Sequence, residues 1–256
     1  MRAMQGHRDR QILCGLFLSK FDKDGLGYLG FSGFTEAFNA LGLGIGAKPA
    51  SIKNYRDEFD PQFPNRRRGW HSRPLREHCR RILEEYKEHG LAELGEIVKE
   101  SLLPMSGLES LPEVKRVMDL QSPGPTPSFA NRLITGRAAE QYFREHYARM
   151  PEFGDASLTD TTEWGCGFDF KASPRLSGPF VAIEVKGMRC RSGPIQLTDL
   201  EFQVAKALRG RYFLVLVRNF IEAPFHSIIQ DPTASGVDFT RVERIETRIS
   251  WNANIG

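Results

Sequence analysis

The chain has 256 residues, 40% of them hydrophobic and 26% charged, with a formal net charge of +3. That is the composition of a globular protein with a real core, in one large domain or two ordinary ones. It contains no apolar stretch near the ~20 residues that a membrane span needs, and no secretory signal precedes its four scattered cysteines (Cys14, Cys79, Cys166, Cys190), whose spacings suit no zinc site, so the expected setting is cytoplasmic, with reduced thiols.

From residue 12 to about residue 120 the apolar spacing is mainly helical: "ILCGLFLSKF", "FTEAFNALG", "PASIKNYRDEF", "PLREHCRRILEEYKEH" and "PEVKRVMDL". After the first of these, "FDKDGLGYLGFSGF" (21–34) imitates a calcium loop, with Asp22 and Asp24 in the first and third ligand positions and Gly27 at the turn. Leu26, Gly30 and Gly33 stand where the fifth, ninth and twelfth ligands belong, which is too few oxygens for a hard cation. The stretch therefore reads as a glycine-rich loop. A helix from about 35 to 41 and another opening at Pro49 can pack through Ala37, Leu41, Ile52 and Tyr55. This leaves Ser51, Lys53, Asn54 and Arg56 free for base-edge and phosphate contacts, in a loose helix-turn-helix arrangement. An ordinary helical hairpin is the alternative.

Downstream, "NRRRGWHSRPLREHCRR" (65–81) carries Arg66, Arg67, Arg68, Arg73 and Arg76, followed by Arg80 and Arg81, around Trp70 and His71. Such a block suits a polyanion, because each cation placed on a phosphate also releases condensed counterions. A solvated helix face is the plainer reading; with the hairpin upstream, DNA is favoured. "QSPGPTPS" (121–128) then has the composition of an exposed linker. The expected organisation is a helical DNA-binding domain over 1–120, the linker, and a second domain over 129–256.

That second part predicts a helix, "LITGRAAEQYFREHY", and strand-like runs "CGFDFKA", "PFVAIEVKG", "RYFLVLVRNF" and "FHSIIQD". "LTDLEFQVAKAL" adds a helix with Thr198 as N-cap and Glu201 three residues on, a capping box. The fold class is α/β with a mixed sheet, preceded by the mainly helical region. In "FVAIEVKG", alternation puts Val181, Ile183 and Val185 on one face and Ala182, Glu184 and Lys186 on the other. In "CGFDFKA" it groups Cys166, Phe168 and Phe170 against Gly167, Asp169 and Lys171. Paired as an antiparallel hairpin through "SPRLSGP", the two runs bring Asp169 and Glu184 to one face beside Lys186. Close carboxylates repel one another, and a divalent cation relieves that. The ordinary alternative is a salt-bridged strand surface worth ~0.5 kcal/mol.

Asp, a gap, then Glu-Val-Lys resembles the PD-(D/E)xK nuclease superfamily, although Phe168 rather than proline precedes the first acid. With "ITGRAAEQYF", "IQLTDLEFQVAKA" and "YFLVLVRNF" in order, the region from about 129 to 232 resembles the Mrr-related domain found at the C-terminus of the plant NO VEIN protein and in bacterial defence proteins. The resemblance implies a restriction-endonuclease-like three-layer core, Asp169, Glu184 and Lys186 as catalytic triplet, and Mg²⁺ held by Asp169, Glu184 and Val185. It adds Glu140 in the preceding helix and Gln196 after the lysine strand as further candidate site residues. For Glu140 the alternative is a solvent-facing acid near Arg137 and Arg144, and for Gln196 a loop residue without a role.

The resulting expectation is a Mg²⁺-dependent DNA endonuclease of type II restriction character. Its substrate would be double-stranded DNA, and it would cut as a homodimer or by sequential nicking, with a cognate DNA methyltransferase as genetic partner. "GLGIGAK" (42–48) lacks Walker spacing, so no ATP-driven motor is expected. The runner-up is a catalytically inactive DNA-binding regulator with a nuclease-like fold. An RNA-processing nuclease ranks third, because the sequence shows no aromatic stacking platform.

Overall fold

Helix α1 (His7–Lys20) is apolar around its whole circumference in its second half: Ile12, Leu13, Cys14, Leu16, Phe17 and Leu18 are fully buried. A helix of that kind must be surrounded, and α2 (Asp22–Leu29), α4 (Pro49–Phe59), α5 (Glu77–Tyr86) and α6 (Leu91–Leu102) pack around it. Gly15 permits the closest of these approaches, since a Cβ there would lie 2.4 Å from the Cβ of Tyr55 on α4. The structure, a computed structural model, describes residues 6–102, 127–174 and 178–243. The expected "PEVKRVMDL" helix and residues 121–126 of the expected linker lie outside those residues, whereas Pro127 and Ser128 already belong to a helix.

Helix α3 (Phe34–Gly44) joins the helical part to the rest, packing on α4 on one side and on α7 (Pro127–His146) on the other. α7 in turn lies along the sheet over β3. Strands β1 (Ala156–Asp160), β2 (Phe170–Pro174), β3 (Val181–Met188), β4 (Tyr212–Arg218) and β5 (Phe225–Gln230) form one sheet in that order. All neighbours are antiparallel except β3 and β4, which run parallel and are joined through helix α8 (Asp199–Leu208). β4 is buried over Tyr212–Val217, as a central strand covered on both faces must be. One main core is continuous from Phe17 and Ile52 through Ile134 and Phe143 to Phe170, Ile183, Val185 and Val215. On the other face Ala182, Ala205 and Tyr212 form a smaller cluster with Phe168, Phe180 and Val204. The chain is thus α/β, with a mainly helical N-terminal part ahead of a mixed five-stranded sheet.

Several sequence expectations need correcting. "DKDGLGYL" is helix α2 and not a loop, because Leu26 and Leu29 are buried and Gly25 sits against Phe17 and Phe21, where a Cβ would already be at 3.1–3.2 Å. Burial of those leucines outweighs the poor helix propensity of two glycines. α6 and the short strand β1 are additional elements. β2 begins at Phe170, not at Cys166: Gly167 adopts φ +86°, which breaks the alternation and sends Phe168 to the α8 face, opposite Phe170. Among the described residues no helix is long and apolar enough to cross a membrane, and all four cysteines are free thiols.

Candidate active site

Strand β3 directs Ile183 and Val185 into the main core beside Phe170, and Ala182, Glu184 and Lys186 toward α8. Phe170 pairs with Ile183 in the β2–β3 ladder, so Asp169, one residue before β2, falls beside Glu184. Two backbone contacts fix it there: Asp169 N donates to Ile183 O at 3.0 Å, and Asp169 Oδ2 accepts from Val185 N at 2.8 Å. Among the described residues Oδ1 accepts no hydrogen bond. Glu184 is 3% exposed. Lys186 Nζ lies 2.5 Å from Glu184 Oε1 and donates to Glu201 Oε2 at 2.8 Å.

Glu201 is the member that sequence reasoning placed only as a helix cap. The expected capping box is present: Thr198 Oγ1 accepts from Glu201 N at 3.2 Å, and Glu201 Oε2 accepts from Thr198 N at 2.9 Å. The same oxygen holds Lys186, so the start of α8 is fastened to β3. The available signal was the order Lys-strand, loop, capping box, since a parallel crossover returns a helix N-terminus over the strand it follows.

These groups open onto a cleft of about 390 Å³, whose far wall is α7 with Asn131, Thr135 and Glu140. Gly187 allows this wall to come so near, because a Cβ there would lie 2.5 Å from Thr135 O. Arg189 lines the same cleft and pairs through Nε with Glu36 Oε1 at 2.6 Å. Glu36, on α3 and 1% exposed, also accepts from Ser32 N and Oγ, both at 2.8 Å. A carboxylate from the helical part thereby orients an arginine at the sheet's cleft.

The electrostatics set this cluster apart from a surface ion pair. Burial, with repulsion from Asp169 added and Lys186 opposing, pushes the Glu184 carboxyl well above the ordinary range. Asp169 is likewise raised, chiefly by burial, against the Val185 hydrogen bond and with Glu140 adding repulsion. Burial also raises Glu140, while its neighbour Arg137, at 2.9 Å, and Arg144 pull it back. Lys186 is raised as well, but by its partners: burial opposes its charge, and Glu184 and Glu201 overcome that and hold it protonated.

Asp169, Glu184, Lys186 and Glu140 are therefore gathered in one cleft, and Val185 serves through its backbone N–H while its side chain packs in the core. Gln196 is exposed in the loop before α8, away from the cleft lining. Among the described residues no group of three or more His, Cys, Asp or Glu side chains is arranged to hold a metal. A hard cation here would rest on Asp169 and Glu184, and the donor chemistry fits: two carboxyl groups that repel each other, with water and substrate oxygens left to complete the shell.

The candidate DNA contacts divide sharply. On α4, Lys53 and Asn54 are exposed and Ser51 is half-buried. Arg56 is 8% exposed, stacked on Phe34 and Phe38 and paired with Asp57 at 2.5 Å. Arg67 bridges Asp60 and Asp22, and Arg76 grips the buried Glu58 at 2.5 Å. Arg67 and Arg76 fasten the 60–76 segment to the helical core, and Arg56 is held within that core. Arg66, Arg68 and Arg73 remain exposed, the last lying over Trp70 at 4.0 Å.

Fold and site together define an α/β domain with an acidic, lysine-bearing cleft at the β2–β3 junction, roofed by a helix. Residues 139–229 match the family described as Protein NO VEIN, C-terminal, a span that includes Glu140, Asp169, Glu184, Lys186 and Glu201. No curated protein and no solved structure matches the chain.

Proposed function

We propose that the chain is a metal-dependent DNA endonuclease of the PD-(D/E)xK kind, hydrolysing phosphodiester bonds in double-stranded DNA as a restriction-type enzyme of host defence. The observation that carries this is the meeting of Asp169, Glu184 and Lys186 in one cleft, with both carboxyls raised by burial. A Mg²⁺ ion bound there would polarise the scissile phosphate and acidify a water. Asp169, oriented by Val185 N, and Glu184 would hold it. Lys186 is kept charged, so its Nζ acts as a donor that orients the attacking water and steadies charge on phosphate oxygens, and not as a base. Exposed Lys53, Asn54, Arg66, Arg68 and Arg73 supply the DNA surface, and a homodimer would account for cutting both strands. A methyltransferase partner remains part of the restriction reading.

The test is incubation of purified protein with plasmid and Mg²⁺. Wild type is expected to give cut products, whereas Asp169→Ala, Glu184→Ala and Lys186→Ala bind DNA without cutting it. Full cleavage by any of the three would sink the assignment. The closed ion pair of Lys186 with Glu184 and Glu201 favours a second reading, a DNA-binding protein that does not cut. Mg²⁺-independent DNA binding with no cleavage of methylated or unmethylated DNA would establish that one.

A further inference from the structure

Beside the acidic cleft, and sharing Glu140 with it, runs a larger one of about 570 Å³. Its walls come from α1 (Arg10), α7 (Arg137, Glu140, Arg144) and the β1–β2 loop, which carries Trp164. The indole is 66% exposed. A lone exposed aromatic on a loose loop would mean little, but this loop is held at Thr161, Thr162 and Trp164. Thr161 N and Oγ1 donate to Asp169 O and Phe168 O, at 2.8 and 2.9 Å. Thr162 N and Oγ1 donate to Asp160 Oδ1, at 3.0 and 2.7 Å, and Trp164 N donates to Thr161 O at 2.9 Å. Arg144 holds the other oxygen of Asp160 at 2.5 Å. The turn that presents the indole is thus built on the backbone of Asp169 itself.

We propose that this cleft binds an unpaired nucleotide of the nucleic acid whose backbone enters the acidic cleft, with its base stacked on Trp164 and its phosphate met by Arg137, Arg144 and Arg10. The inference rests on the nuclease reading for its substrate and deepens it. A base inside a duplex is stacked on both faces, so a solvent-facing indole can receive only an extrahelical, overhanging or single-stranded base. Arg137, Glu140 and Arg144 sit on one face of α7 at spacings of three and four. Each of the two arginines uses part of its five-donor fork on a carboxylate, which leaves further N–H groups for a phosphate. Arg10 has no ion-pair partner among the described residues. The stacking platform absent from the sequence pattern is therefore present in the fold.

The experiment measures binding alone, in chelator, by anisotropy of labelled oligonucleotides: a blunt duplex, the same duplex with a short deoxy overhang, and one with a ribo overhang. Wild type is expected to bind an overhang about tenfold more tightly than the blunt duplex, as one stacked base warrants. Trp164→Ala should abolish that difference while leaving blunt-duplex affinity unchanged, and Trp164→Phe should retain most of it. Tryptophan emission should be quenched on binding the overhang, and this quenching should be lost in Trp164→Phe. The two overhang arms tell whether the sugar is read. Equal affinity of wild type for blunt and overhanging duplexes, or an overhang preference that survives Trp164→Ala, overturns the proposal. Because no cleavage is read, a Trp164-dependent preference in a protein that cuts nothing with Mg²⁺ upholds this site and defeats the nuclease reading alone.

Discussion

Replacing Glu184 by glutamine should stabilise the protein while removing its function. Glu184 and Asp169 are buried side by side, and burial plus mutual repulsion raise both carboxyls. The folded state therefore binds their protons more tightly than the unfolded chain does. Stability is then greatest below the ordinary carboxylate range and falls as pH rises through the raised folded values. A tenfold change in proton affinity is about 1.4 kcal/mol. Against the gain from removing one charge stands the lost Glu184–Lys186 attraction, which is softened because Lys186 keeps Glu201 at 2.8 Å and a glutamine oxygen can still accept its hydrogen bond. The balance is a stabilisation of about 2 kcal/mol at pH 8, or about 4–8 °C in Tm, and nearly none at pH 4. Saturating Mg²⁺ should raise the wild-type Tm by a comparable amount, since a ligand at 100 times its Kd contributes about 2.7 kcal/mol, and should leave Glu184→Gln unmoved. Calorimetric melting at both pH values, with and without Mg²⁺, reads all of this. A variant less stable than wild type at pH 8, or equally responsive to Mg²⁺, would refute the reasoning.

Glu201→Ala should cost about 1 kcal/mol by removing one half of the α8 capping box, and should lower the turnover rate more than it raises the half-saturating DNA concentration, because Lys186 loses its anchor; steady-state kinetics separate the two. Gly187→Ala should destabilise by about 2 kcal/mol or more by driving a methyl into Thr135 O, visible as a lower urea midpoint. Replacing Arg66, Arg68 and Arg73 together by alanine should weaken DNA binding and flatten its dependence on salt, by about one unit of log–log slope for each phosphate no longer neutralised. Arg76→Ala should instead lower stability by about 3 kcal/mol, since it leaves buried Glu58 without its cation.

What the sequence discloses is what short-range physics controls. Helix α4 was legible to the residue because Pro49 opens it and Ile52, Tyr55 and Phe59 keep its period. The capping box at Thr198 and the facing of Glu184 toward Asp169 follow equally from local spacing. The misses are tertiary. α2 forms because Leu26 and Leu29 join the main core and Tyr28 meets Phe17, and β1 is a five-residue edge strand whose only alternating apolar residues, Ala156 and Leu158, are too short a pattern to mark it. Gly167 flips Phe168 across the sheet, which no alternation rule anticipates. Arg67 and Arg76 read as free cations because their carboxylates, Asp60, Asp22 and Glu58, are matched to them only by the folded path of the chain, and Arg56, with Asp57 beside it in sequence, does so because Phe34 and Phe38 cover it only in the fold. Glu36, more than a hundred residues from Arg189, and Trp164, an ordinary loop residue in sequence, acquire their places in the same way.

The central claim is that Asp169 and Glu184 bind the divalent ion that Lys186 works beside. The most direct measurement is the rate of plasmid cleavage against Mg²⁺ concentration, run in parallel with calorimetric titration of Mg²⁺ into the DNA complex of Lys186→Ala. The two midpoints are expected to agree, and both signals to vanish when Asp169→Asn is introduced. Cleavage that persists in chelator, or that survives Asp169→Asn, would contradict the account.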